Sequence, residues 1–230
     1  MKHATITKFA ATASLILLGL TTATSNAAIA VPKHDIAAGK KIAETVCGAC
    51  HGVDGVSTVP AQPNLGGQNI KYLYKQLSDF KSGARVNPIM SVQVAPLTDQ
   101  DLANVAAYYS SQKRWSVGYA NPALVTAGQK TFYGGDSKRG VIPCAGCHGG
   151  KGNGNDYAAF PRISGQHSAY LATQLKLFRA AGREDDVLGK DQVRANDGAK
   201  KGDKGMMQTV ASHLSDNDIK ALSDYISALH

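Results

Sequence analysis

The sequence predicts an all-α chain of two tandem helical domains, and three observations carry that expectation. The first is internal repetition. Pro63-Asn64-Leu65-Gly66-Gly67-Gln68 is matched by Pro161-Arg162-Ile163-Ser164-Gly165-Gln166. Downstream, Tyr72-Leu73, Gln76-Leu77 and Phe80 are matched by Tyr170-Leu171, Gln174-Leu175 and Phe178. Leu97-Thr98-Asp99-Gln100-Asp101-Leu102 is then matched by Leu214-Ser215-Asp216-Asn217-Asp218-Ile219. One duplication explains all of this. The second observation is helical spacing of apolar residues, Leu102, Val105, Ala106 and Tyr109 in one copy and Ile219, Leu222, Ile226 and Leu229 in the other. The third is that no alternating β pattern of comparable length occurs.

The elements follow in order. Residues 1–27 read as an export signal: Lys2 and Lys8 precede an apolar run over 9–20, which is short for a span of about 20 residues, and small residues follow. The first domain is expected over 31–112, with helices over 35–46, over 69–81 and from Thr98. A linker over 113–121 carries Trp115, read as an apolar clasp between the domains. The second domain, 122–230, starts on Asn121-Pro122, an Asn cap with Pro at the first helical position. Its further helices are expected over 168–180 and from Ser215. Thr98 and Ser215 each have an Asp three residues on, as a capping box requires. Gly39 and Gly128 hold matching places in the first helices, where a missing Cβ would let the last helix cross closely.

Each copy also contains Cys-x-x-Cys-His, as Cys47-Gly48-Ala49-Cys50-His51 and Cys144-Ala145-Gly146-Cys147-His148. These motifs use all four cysteines of the chain. The spacing suits covalent attachment of a c-type haem. Residues i, i+3 and i+4 share a helix face, so two thiols can form thioethers to the porphyrin while the imidazole meets the iron. Two disulfides, or a zinc site of four thiolates, would also use four cysteines. Neither explains a His directly after each second Cys, and a zinc ribbon spaces its pairs by only about 15–20 residues. The imidazoles of His51 and His148 need an acceptor for their other ring nitrogen, and the carbonyls of Pro63 and Pro161 are the candidates.

The second axial position separates a carrier from a catalyst. Beyond the initiator the methionines are Met90, Met206 and Met207. Met90 lies eight residues before Thr98 and Met207 eight before Ser215, a matched pair that favours ligation over core filling. Met206 is off register by one. His34, His167, His213 and His230 occupy no repeated position and read as surface or helix-end residues. A thioether favours ferrous iron and completes the coordination sphere, so such a site exchanges electrons rather than binding substrate.

The formal charge of +8 would permit nucleic-acid binding, but the Lys and Arg residues are scattered and read as solvated surface. No phosphate loop, H-E-x-x-H or G-x-S-x-G occurs, so no other catalytic signal is present. The copies differ in one place. The second spends about twenty more residues between Arg183 and Met207 than the first spends between Arg85 and Met90. This insertion, 184–204, reads as a solvated loop, with shielding of the second haem or partner docking as the sharper alternative.

The paired CxxCH motifs, the Pro-x-Leu-x-Gly-Gln type segment and the Met before a Leu-Thr/Ser-Asp helix, each present twice, resemble the cytochrome c4 family. That resemblance covers residues 35–230 and implies two class I cytochrome c domains, each wrapped around a covalent haem. It implies thioethers at Cys47, Cys50, Cys144 and Cys147, proximal ligands His51 and His148, and distal ligands Met90 and Met207. It also implies a non-enzymatic periplasmic electron carrier. A quinol-oxidising complex or a dehydrogenase would be the donor and a terminal oxidase the acceptor, and the resemblance allows peripheral membrane association. The competing expectation is a dihaem subunit of a periplasmic dehydrogenase, such as a flavocytochrome-type sulfide oxidiser. A dihaem peroxidase would need an iron that can open, which two matched methionines oppose.

Overall fold

A computed structural model of the chain describes residues 1, 29–114, 118, 120–184, 193–198 and 203–230. The expected leader after residue 1, and Trp115, fall outside the described residues. Among the described residues there is no strand, only the isolated bridges Asp136–Val141 and Asn155–Phe160.

The first half opens with α1 (Ile36–Ile42), whose N-cap Asp35 accepts the amides of Ala37 and Ala38. The helix continues through a π-helical segment (Ala43–Cys47) into one last turn, α2 (Gly48–His51). Then come α3 (Ile70–Ser82), capped by Asn69, α4 (Pro88–Val94), capped by Asn87, and α5 (Asp99–Ser111). The second half repeats the plan with α6 (Pro122–Gly134), α7 (Ala145–His148), α8 (Ser168–Arg183), α9 (Met206–Ser212) and α10 (Asp216–Ser227). Asn121 caps α6 with Pro122 at its first position. Thr98–Asp101 and Ser215–Asp218 both form complete capping boxes.

The first and last helices of each half cross at the matched glycines. A Cβ on Gly39 would collide with the Asn104 carbonyl of α5, and one on Gly128 with the Ala221 carbonyl of α10. That contact lets Leu102, Val105 and Tyr109 in one half, and Phe132, Ile219, Leu222 and Ile226 in the other, bury almost completely. The copies differ ahead of the second motif. Cys47 follows Gly39 by eight residues without leaving the helix, whereas Cys144 follows Gly128 by sixteen. The extra length forms a reversal after α6, with a 3₁₀ turn (Ser137–Arg139) closed by the bridge between Asp136 and Val141.

The halves dock through a polar network that the sequence pattern did not assign. Arg85 lies 4.5 Å from the Phe80 ring centre and bonds Gln76 in its own half and Gln174 of the other. Arg194 lies 4.3 Å from the Phe178 ring and bonds Gln174 in its own half and Gln76 and Tyr72 of the other. Arg194, not Arg183, is therefore the counterpart of Arg85. Arg183 instead donates to the carbonyls of Ser212 and Leu214. The expectation of a solvated loop over 184–204 is corrected for 193–198, since Arg194 and Asn196 are buried in the interface. Residues 185–192 and 199–202 lie outside the described residues.

Candidate haem sites

The segment after each CxxCH motif reverses at a glycine of positive φ, Gly52 (74°) or Gly149 (79°). Hydrogen bonds then pin the returning chain. Gly55 O accepts the amides of Leu65 and Gly66 at 2.9 and 3.1 Å, and Gly152 O those of Ile163 and Ser164 at 2.8 and 3.1 Å. This geometry carries Pro63 and Pro161 back beneath the motif histidines. His51 Nδ1 lies 2.9 Å from Pro63 O and His148 Nδ1 lies 2.9 Å from Pro161 O. A carbonyl can only accept, so Nδ1 holds the proton in both rings and Nε2 keeps its lone pair. Both rings are buried. Burial lowers their pKa values against the opposing pull of the proline carbonyls, which favours neutral imidazole.

No cysteine is joined to another in a disulfide, and burial pushes the thiol pKa values of Cys47 and Cys144 up to about 11. The disulfide alternative is therefore not realised. The two pairs lie in different halves, and among the described residues no group of three or more His, Cys, Asp or Glu could hold a metal ion. A four-thiolate zinc site is thus ruled out by placement.

The expected methionines sit on the two short helices α4 and α9. Met90 packs beside Phe80, Val94 and Leu102. Its amide donates to the Asn87 cap at 2.9 Å. Met207 packs against the cluster that also holds Cys144, Phe132 and Phe178. Its amide donates to Asp197 at 2.5 Å, so part of the insertion supplies the cap that Asn87 supplies in the first copy. In the first half, Cys47 and Met90 pack on separate clusters bridged by Tyr74 and Leu77. Met206 is 59% exposed. Of the other histidines, His167 occupies the N-cap position of α8 without a side-chain capping bond and reaches Ser57 O of the first half at 2.9 Å, and His34 and His230 are exposed.

These residues fit a covalent haem. Each half presents two cysteines at the attachment spacing and a buried imidazole with a free Nε2; Met207 packs on the cluster that holds Cys144, and Met90 on a cluster joined to that of Cys47 through Tyr74 and Leu77. Asn64 Nδ2 beside Pro63 is buried without a partner, an orphaned donor of the kind a cofactor carboxylate satisfies.

The Cytochrome c family model matches the chain twice, over residues 36–113 and 125–230. Cytochrome c4 of Stutzerimonas stutzeri is 47% identical over 194 residues, covering 80% of this chain and 85% of that protein. The crystal structure of reduced recombinant cytochrome c4 from Pseudomonas stutzeri superposes with a TM-score of 0.76 at 46% identity, covering 86% of this chain and all of that one. A more distant relative, the thiosulfate dehydrogenase electron acceptor of Stutzerimonas stutzeri strain A1501, is 32% identical over 82% of this chain and 81% of that protein. With one haem-attachment motif in each matched half, the chain belongs to the cytochrome c4 family of electron-transfer proteins and carries two covalently bound haem c groups.

Proposed function

We propose that His51 and Met90 are the axial ligands of the first haem iron and His148 and Met207 those of the second. We further propose that the protein carries electrons in a periplasmic respiratory chain towards a terminal oxidase. Bound haem supplies a one-electron ferric/ferrous couple. The protein holds each imidazole in one tautomer on a proline carbonyl, buries it from water, and supplies a soft thioether from a short helix of the same half. The observation that carries the reading is the matched pair of buried imidazoles, each with Nδ1 committed at 2.9 Å and Nε2 free.

Substitution tests the ligand set. Met207→Leu should abolish the thioether signature of the second haem in paramagnetic NMR and lower its potential, and Met90→Leu should do the same for the first. Met206→Leu should change neither. A His/Met signature that persists at the second haem after Met207→Leu, or at the first after Met90→Leu, would refute the assignment. The direction of electron flow is tested by isolation from native periplasm and membranes at low salt, with mass spectrometry of what co-elutes. Release as a lone dihaem chain supports the diffusible carrier. The 32% identity to an acceptor for thiosulfate dehydrogenase favours a second reading, a dedicated acceptor for a sulfur-oxidising dehydrogenase. Elution in fixed ratio with such an enzyme would select it.

A further inference from the structure

Each motif histidine is linked to the opposite half through a single peptide unit. The unit joining Pro63 to Asn64 accepts His51 Nδ1–H at its carbonyl end, and its N–H end donates to Gln166 Oε1 of the second half at 2.9 Å. The unit joining Pro161 to Arg162 accepts His148 Nδ1–H, and its N–H donates to Gln68 Oε1 of the first half at 2.8 Å. Both glutamines are held firmly. Gln166 Nε2 donates back to Asn64 O at 3.0 Å, and Gln68 Nε2 to Arg162 O at 2.8 Å. Each Oε1 also accepts the amide of its own next residue, His167 at 3.0 Å and Asn69 at 2.9 Å. A flipped amide would set NH₂ against two N–H donors, so the orientation is fixed. Both glutamines are 8% exposed and line one cleft between the halves.

We propose that Gln68 and Gln166 are positioning residues that tune the haem of the opposite domain through this hydrogen-bond series. The proposal rests on the reading of His51 and His148 as iron ligands. Hydrogen bonds in series polarise one another, by about 10–30% per bond. When the peptide N–H donates to glutamine, its carbonyl oxygen gains negative charge and draws harder on Nδ1–H. The imidazole becomes more electron-rich at Nε2, which stabilises ferric iron and lowers the potential. The burial of both glutamines leaves the effect poorly screened by water. Removing one glutamine therefore raises the potential of the other domain's haem and leaves its own in place. A glutamine acting only as glue between the domains has no reason to produce this crossed pattern.

The test uses the full holoprotein with Gln166→Leu and, separately, Gln68→Leu, so that either variant suffices if the other fails to fold. Asn69→Ser is the control for interface loosening. It removes the cross-domain bonds from Asn69 Nδ2 to Asn155 and Asp156 but keeps a side-chain oxygen to cap α3. Both midpoint potentials are read by spectroelectrochemical titration and assigned by paramagnetic NMR of ¹⁵N-labelled histidine. Gln166→Leu should shift the ferrous-to-ferric ratio of the first haem about threefold, or about 30 mV at ~59 mV per decade, and hold the second constant. Gln68→Leu should do the converse, and Asn69→Ser neither. Folded glutamine variants with unmoved potentials, or shifts in the variant's own domain or in both haems together, would overturn the proposal. Wild-type spectra without two iron-bound histidine rings would instead defeat the ligand reading beneath it.

Discussion

Gly128→Ala should destabilise the second domain, although alanine is the better helix former. In an open helix the exchange gains about 1 kcal/mol. Here the new Cβ would collide with the Ala221 carbonyl and lie 2.5 Å from Tyr225 Cβ, where carbon atoms prefer about 3.5–4.0 Å. Neither neighbour can rotate away, because one is backbone and the other is fixed to it. Helices α6 and α10 must part by roughly 1 Å, and a gap of that size forfeits about a quarter to a half of each contact across it. The contacts at stake include Phe132 and Leu222, both fully buried. Overpacking typically costs about 1–3 kcal/mol. Taking the upper end against the helix gain leaves a net loss of about 2 kcal/mol, or about 10 °C in Tm for a domain of this size. Gly134→Ala is the internal control, since the same helix meets nothing within 4 Å at that position. Thermal unfolding of both holoprotein variants, followed by haem absorbance and near-UV circular dichroism, decides the matter. If Gly128→Ala melts at or above the wild-type temperature, the close crossing does not constrain this fold.

Three further outcomes follow from the same geometry. Gly39→Ala should weaken the first domain by a similar amount, because its Cβ would meet the Asn104 carbonyl and lie 2.9 Å from Tyr108 Cβ; thermal unfolding should show the melting of the first domain shifting to lower temperature. Arg194→Leu should cost about 3 kcal/mol or more by leaving Tyr72, Gln76 and Gln174 short of a buried donor, while Arg183→Leu, which loses an exposed bond to Ser212 O and one to Leu214 O that Arg179 still serves, should cost about 1. Guanidinium unfolding midpoints would show the difference, and equal costs would contradict the placement of Arg194. Arg139 bonding holds Asp218 down at about 2, against the opposing effect of burial and with further help from Ser215. A depressed carboxylate stabilises fully above its unfolded value near 4 and loses that contribution as pH falls from about 4 to 2. After solvent screening this is about 1 kcal/mol. Asp218→Asn should flatten that limb of the acid unfolding curve, and an unchanged limb would mean the pair is inert.

Much of this was legible because the relevant signals are local. A capping box spans four residues, so Thr98–Asp101 and Ser215–Asp218 announce their helices without tertiary information. The same holds for Asn121-Pro122 and for the CxxCH turns. The proline carbonyls could be inferred from the need of a motif imidazole for an acceptor. Helices α4 and α9 were not legible, because seven residues are too few for periodicity to separate helix from loop. The π-helical segment Ala43–Cys47 leaves no compositional mark at all. Arg194 was not legible for a different reason. Sequence comparison pairs Arg85 with Arg183, but the pairing in space is fixed by Tyr72 and Gln76, which lie more than a hundred residues away. The Gln68 and Gln166 repeat was visible, but its cross-domain role depends on docking that no single segment encodes.

The Arg85–Arg194 pair shows which feature of the duplication is constrained. Arg85 follows Phe80 by five residues, whereas Arg194 follows Phe178 by sixteen. Despite the longer path both guanidinium groups stop at nearly the same distance over their rings, 4.5 and 4.3 Å, and both bond Gln76 and Gln174. Loop closure costs about 0.6 kcal/mol per doubling of length, so the longer path adds about 1 kcal/mol. Arg194 makes four hydrogen bonds at its end, to Tyr72, Gln76, Gln174 and Asn196. A single hydrogen bond to a charged group contributes about 1.5–3 kcal/mol, so the docked guanidinium outweighs the entropy of reaching it. The same excursion delivers Asp197 to the start of α9, where it binds the amide of Met207. The lengthened segment thus secures both the domain interface and the helix that carries the proposed axial methionine. Its added length is tolerated because its far end is anchored at both.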